Sequence, residues 1–141
     1  MPKHARTDEE IERCFEVMAE LRTHLTRNKF LDQVREMYKD GYKLVYLEVD
    51  GTVVAVAGYR VSTNLFMRKN LYVDDLVTAS TQRSKGYGKA LVSWLRDIAC
   101  EQGCHYIHLD SGTHRHEAHK FYFRQGLKIA SYHFSEQLKP D

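Results

Sequence analysis

The sequence predicts an α/β fold: a central twisted mixed β-sheet that begins with an antiparallel hairpin, continues through a β-α-β crossover and is flanked by helices. Three observations predict it. Residues 43–49 and 52–60 are apolar, β-branched runs joined by Asp50-Gly51, and a two-residue hairpin turn needs the positive φ that Asp and Gly tolerate. A strand-like run at 71–78 is followed by a Gly-bearing loop, an amphipathic helix and a second strand-like run at 104–110, the order of a parallel crossover. Two helical patterns precede the hairpin, so helices are available to cover the sheet.

The elements follow in order. In residues 8–22, Ile11, Cys14, Phe15, Met18 and Leu21 form one apolar stripe; Asp8 is placed to cap this helix, with Glu9 and Glu10 in the first turn where the dipole favours anions. A second helix at 30–39 carries Leu31, Val34, Met37 and Tyr38 on one side, and Gly41 sits at its stop position. After the hairpin, residues 61–70 read as a polar link. The strand at 71–78 holds two carboxylates, Asp74 and Asp75; strand neighbours point to opposite faces, so at least one is expected on the buried or ligand side. Residues 79–89 form a basic loop, and the helix after it has Ala90, Leu91, Trp94, Leu95, Ile98 and Ala99 on one face, with Gly103 ending it. A short helix at 116–125 turns Ala118, Phe121 and Tyr122 inward and stops at Gly126, and a last strand is expected at 127–134.

Composition narrows the function. The 141 residues suit one domain spanning 1–141, with no Pro/Ser/Gly-rich linker. A net charge of +2 offers no strongly basic face for nucleic acid. No apolar run reaches membrane-spanning length, and Met1-Pro2-Lys3-His4 does not open a signal peptide. Cys14, Cys100 and Cys104 are an odd number without a framework, read as free thiols in a reducing cytoplasm.

The segment Arg83-Ser84-Lys85-Gly86-Tyr87-Gly88-Lys89 lies between a strand and a helix. Glycines there let backbone approach a ligand, and the first amides of a helix with its dipole suit phosphate. Arg83, Lys85 and Lys89 add positive charge. Other phosphate motifs fit worse. A P-loop needs Ser or Thr where Ala90 follows Gly88-Lys89, and the dinucleotide fingerprint needs a glycine where Leu91 stands. Arg83-x-x-Gly86-x-Gly88 resembles the Q/R-x-x-G-x-G/A signature of the GNAT acetyltransferase superfamily. Ala118-His-Lys-Phe-Tyr122-Phe-Arg-Gln-Gly126-Leu127 is similar to the family's A-x-x-F/L-Y-x-x-x-G-F element, with Leu127 for the usual Phe and Arg115 where an Asn is usual.

This resemblance implies a GNAT fold and an acetyl-CoA-dependent N-acetyltransferase acting on a primary amine of a small molecule, polyamine-, amino-acid- or antibiotic-like. It implies that the loop from Arg83 to Lys89 holds the pyrophosphate of acetyl-CoA and that Leu76, Val77 and Thr78 pair with its pantetheine arm. Amine acetylation needs deprotonation of an ammonium whose ordinary pKa is about 10.4, polarisation of the thioester carbonyl and a proton for the leaving thiolate. Tyr122 matches the family's general acid. Asp74 falls where an acid helps deprotonate the amine, Asp75 would attract a cationic substrate, and an N–H at Leu76 or Val77 would polarise the carbonyl.

Metal is not expected. His116 and His119 are three apart, not the four of a zinc HExxH helix, and Gly103 separates Cys100 from Cys104, with His105 and His108 beyond. His119 or His133 is an alternative proton shuttle. Two other readings stay open: a protein N-acetyltransferase, and a non-catalytic acyl-CoA-binding regulatory module on the same fold. An open sheet leaves edges through which a homodimer could form.

Overall fold

The hairpin forms where Asp50-Gly51 places it, with both residues at positive φ (51° and 79°). It joins two strands of a computed structural model that describes residues 1–141. In chain order the elements are β1 (Lys3–His4), α1 (Asp8–Arg13), α2 (Phe15–Leu21), α3 (Arg27–Lys39), β2 (Lys43–Val49), β3 (Thr52–Asn64), β4 (Arg68–Thr78), a 3-10 turn (Ser80–Gln82), α4 (Tyr87–Glu101), β5 (Tyr106–Leu109) and α5 (His116–Arg124). The chain divides into two compact units, 1–109 and 110–141. No helix is long and apolar enough to cross a membrane.

The first unit is one five-stranded sheet in the order β1-β2-β3-β4-β5. Pairing is antiparallel from β1 to β4 and parallel between β4 and β5, so the predicted mixed sheet and the β4-α4-β5 crossover are both present. Each face of the sheet carries its own core. Ile11, Cys14, Met18, Phe30 and Val34 of α1–α3 pack against Leu44, Tyr46 and Val56. Leu91, Leu95 and Ala99 of α4 pack on the other face against Ala55, Ala57, Tyr59 and Leu71. Burial of each Ile, Val, Leu, Met or Phe among them contributes roughly 1.5–3 kcal/mol, which is what holds the helices down.

Several boundaries differ from expectation. The helix expected at 8–22 breaks at Cys14, whose amide donates to Ile11 O (3.0 Å) while its Sγ contacts Glu10 O at 3.4 Å. The cap is Thr7, not Asp8. Thr7 Oγ1 accepts from the Glu10 amide and Glu10 Oε1 accepts from the Thr7 amide, a reciprocal capping box. Residues 61–70 are not a link but the far end of a second hairpin, paired from Val61↔Leu71 to Asn64↔Arg68. Backbone ladder bonds need no apolar alternation, so the polar side chains concealed these strands. Buried Asn70 secures the tip by donating from Nδ2 to Arg68 O (2.9 Å) and Ser62 O (3.3 Å). Ala90 is exposed rather than part of the α4 core face.

The second unit contains α5, which stops at Gly126 (φ 87°) as predicted. The strand expected at 127–134 does not form. Ile129, Tyr132 and Phe134 are exposed, and the sheet is complete with five strands that do not include this segment. A strand exists only through ladder bonds to a neighbour, and an apolar pattern alone cannot supply one.

Candidate active site

The site begins with an irregularity in β4. Asp75 stands opposite Gly58 and Val73 opposite Tyr59, so Asp74 is the extra residue of a β-bulge. The bulge reverses the strand's alternation: Leu71 and Val73 pack on the α4 side, Val77 on the α1–α3 side. A regular strand would send the two carboxylates to opposite faces. Here one cluster reaches both. Tyr42 Oη donates to Asp75 Oδ2 (2.7 Å), Arg22 Nε to Asp75 Oδ1 (2.9 Å), Arg22 Nη2 to Asp74 O (2.8 Å) and Arg60 Nε to Asp74 Oδ2 (3.1 Å). The Arg60 guanidinium lies 5.5 Å from the Tyr42 ring centroid. Gly58 makes this possible, because a Cβ there would overlap the Tyr42 hydroxyl and ring.

The two carboxylates differ in surroundings. Asp74 Oδ1 is buried without a hydrogen-bond partner, and burial raises the Asp74 carboxyl above its ordinary pKa despite the opposing pull of Arg60. Burial, reinforced by the Asp75 charge, pushes the Tyr42 phenol well above its usual range, so Tyr42 remains a proton-bearing donor. Asp75, Tyr42, Arg22 and His24 line a pocket of about 260 Å³ whose apolar wall includes Met18, Phe30 and Met37. A pocket of equal volume beside β1, lined by His4, Tyr38, Leu44 and Tyr59, contains neither carboxylate.

The same strand leads to the basic loop. β5 pairs with β4 only from Asn70↔Tyr106 to Val73↔Leu109. Asp74–Thr78 therefore keep β3 on one side and have no strand on the other. The chain then passes through the 3-10 turn to Ser84 (φ 65°) and Gly86 (φ 86°), which is the N-cap of α4 in the left-handed conformation. The first amides of a helix lack intrahelical partners, and no side chain caps these. Gly88 and Lys89 lie in the first turn of α4 rather than in the loop; Arg83, Lys85 and Lys89 are exposed around it. An unpaired strand edge running into an uncapped, basic helix N-terminus suits a long ligand with an anionic end.

Comparison with known proteins decides the family. The model of the acetyltransferase (GNAT) family matches residues 5–127. The N-acetyltransferase YhdJ of Bacillus subtilis is 34% identical over 138 residues, covering 96% of this chain and 97% of that protein. The chain belongs to the GNAT acetyltransferase family. A transcriptional regulator from Bacillus halodurans shares the fold at a TM-score of 0.86 with 21% identity, over 98% of this chain and 99% of that one. The aminoglycoside N-acetyltransferase AAC(6')-Iy, solved in complex with CoA, does so at a TM-score of 0.85 with 12% identity, over 99% and 96%.

The remaining predicted residues of this GNAT enzyme are placed as follows. Tyr122 is half-buried in α5, its ring edge-on to Phe121 at 5.5 Å. His119 Nε2 lies 2.8 Å from Gly112 O, and the His116 and His119 rings are 6.0 Å apart. His133 Nδ1 is 3.6 Å from Asp110 Oδ1. His108 Nε2 lies 2.8 Å from Asn70 Oδ1, beside Tyr72 on β4. All three cysteines are free, and burial pushes the Cys14 thiol up to about 12, so it stays protonated and inert. Sequence reasoning missed Arg22, Tyr42, Arg60 and Gly58. Only Gly58 carried a signal, since an isolated glycine within a β-branched strand marks a bulge or a close backbone approach.

Proposed function

We propose that this GNAT enzyme transfers an acetyl group from acetyl-CoA to a primary amine of a small molecule. The observation that carries the proposal is the unpaired β4 edge, Asp74–Thr78, leading into the Gly86 N-terminus of α4. In this reading Leu76, Val77 and Thr78 offer backbone partners to the pantetheine arm. The amides from Gly86 onward, with Ser84, Tyr87 and Gly88, cradle the pyrophosphate, and Arg83, Lys85 and Lys89 balance its charge. The AAC(6')-Iy complex with CoA supports this use of the fold. The 260 Å³ pocket beside Asp75 has room for a small acceptor.

Acetyl-CoA supplies the activated acyl group, and the chain supplies proton handling and orientation. Asp74, whose Oδ1 has no other partner, takes the ammonium proton directly or through water. The amine nitrogen forms its bond to the carbonyl carbon while an N–H at Leu76 or Val77 stabilises the oxygen. The C–S bond then breaks as the nitrogen gives up its second proton to solvent; the sulfur receives the Tyr122 hydroxyl proton, which solvent replaces, and Asp74 returns its proton to solvent. The Tyr122 role is assigned from its motif position. Asp75, anchored by Tyr42 and Arg22, helps orient the acceptor.

Calorimetric titration with acetyl-CoA tests the proposal. Micromolar binding that is lost in Arg83→Ala/Gly86→Asp, together with CoA release in the presence of amines, supports it; no binding to the intact chain refutes it. A non-catalytic acyl-CoA-binding regulator is the second reading, favoured by the fold likeness to a protein described as a transcriptional regulator. It predicts acetyl-CoA binding without turnover of any amine.

A further inference from the structure

We infer that the acceptor is an amine that carries its own anionic group, a carboxylate or phosphonate, and that Arg22 is the residue that selects for it. The inference rests on the acetyltransferase reading above and goes on to name the substrate class.

The carboxylates of the site are not available as a net negative field. Asp75 is paired with Arg22 at 2.9 Å and Asp74 with Arg60 at 3.1 Å, so two guanidiniums balance two carboxylates. A polycation entering this cluster gains no net attraction. If its ammonium displaces a guanidinium, that guanidinium is left unpaired beside like charge, a costly arrangement in a partly buried site. A zwitterionic acceptor avoids the conflict. Its ammonium takes the place of the guanidinium at the carboxylates, and its anion takes the released guanidinium, so every charge keeps a partner.

The geometry assigns the exchange to Arg22. Asp75 is held in place, with its side chain only 11% exposed and Tyr42 donating to its other oxygen, whereas the Arg22 side chain is 44% exposed. Arg22 is the C-cap of α2, with non-helical φ −107° and ψ 78°, so it sits on the segment that leaves the helix at the pocket mouth. Arg60 is more confined: its side chain is 32% exposed, it lies against the Tyr42 ring, and its Nη1 approaches Asp40 O at 3.5 Å. The planar fork of Arg22 matches a carboxylate or phosphonate through two parallel N–H donors. His24 lines the same pocket as a further donor, and Met18, Phe30 and Met37 suit a short aliphatic spacer between the two charges.

The test uses the full chain, saturating acetyl-CoA and four primary amines of similar length: 3-aminopropanoate, 2-aminoethylphosphonate, propylamine and 1,3-diaminopropane. CoA release gives kcat and KM for each. At least one anion-bearing amine is expected to exceed the diamine in kcat/KM by roughly tenfold or more, and the carboxylate and phosphonate arms tell the two anions apart. In Arg22→Ala that ratio collapses through a raised KM, and Arg22→Lys restores part of it, a pattern that a merely structural arginine would not produce. Preference for the diamine, equal use of all four, turnover of neither anion-bearing amine, or a ratio unchanged in Arg22→Ala overturns the inference. A parallel acetyl-CoA titration separates the two failures. Cofactor binding with indiscriminate turnover sinks only the substrate class, whereas absent binding sinks the acetyltransferase reading with it.

Discussion

Gly58 has no side chain, and the Tyr42 ring occupies the space where one would stand, with its hydroxyl on Asp75 of the neighbouring strand. Gly58→Ala should therefore destabilise the protein by about 1–3 kcal/mol, the usual cost of overpacking, and raise KM for the acceptor by moving Tyr42. Urea unfolding and steady-state kinetics measure the two effects. Asp74 has a raised pKa, so as the base it sets an acidic limb above the ordinary 3.8, with activity falling as the pH drops through it. In Asp74→Asn that limb should disappear from the pH dependence of kcat/KM; an unchanged limb removes Asp74 from the role. Tyr122→Phe should lower kcat by roughly 10²-fold or more with little change in KM if the hydroxyl protonates the thiolate.

At the scale of single elements, the two ends that matter most are helix N-termini with opposite designs. α1 is closed by its own side chains, and Thr7→Ala should cost about 1 kcal/mol in urea unfolding. The amides of Thr7 and then Arg6, with the Tyr46 hydroxyl, hold the Glu10 carboxyl down to about 2. A depressed acid adds stability that is full above its ordinary 4.5 and lost as pH falls through about 2, so this contribution fades in acid. α4 is left uncapped, with Gly86 at φ 86° and nothing within 4 Å of where a Cβ would stand. Gly86→Ala should thus cost about 1–2 kcal/mol from backbone strain alone and weaken acetyl-CoA binding, both measurable on one purified variant. The Thr7-x-x-Glu10 box was legible in the sequence, yet Asp8 beside it is an equally good capping residue by composition, and the extended backbone of Thr7 (φ −86°, ψ 159°) separates the two.

For the whole molecule, the short β1 strand ties the chain start into the sheet. His4 Nε2 lies 2.8 Å from Tyr59 Oη, and its ring is edge-on to Trp94 at 5.2 Å. Burial, followed by the charges of Arg6 and Lys43, lowers the His4 pKa. The unfolded chain takes up a proton near pH 6.5 that the folded chain resists, so this contribution is present above 6.5 and is lost as pH falls from there toward the lower folded pKa. The urea midpoint should drop between pH 7.5 and 5.5, and His4→Gln should flatten that drop. An unchanged slope in the variant would assign the effect to another group.

What the sequence determined by itself was local. The Asp50-Gly51 turn, the glycine stops at 41, 103 and 126, the crossover order and the Arg83–Gly86 turn into α4 each depend on chain neighbours, whose sterics and hydrogen bonds act wherever the segment lies. The tertiary structure decided everything that depends on a distant partner. Strand parity predicts opposite faces for Asp74 and Asp75, but the bulge opposite Gly58 overrides it, because register is a property of two strands together. Arg22, Tyr42 and Arg60 join the carboxylates from 53, 33 and 14 residues away, and no spacing rule connects such separations. The segment 127–134 has the pattern of a strand and is not one, for the same physical reason: a strand's hydrogen bonds belong to its neighbour as much as to itself.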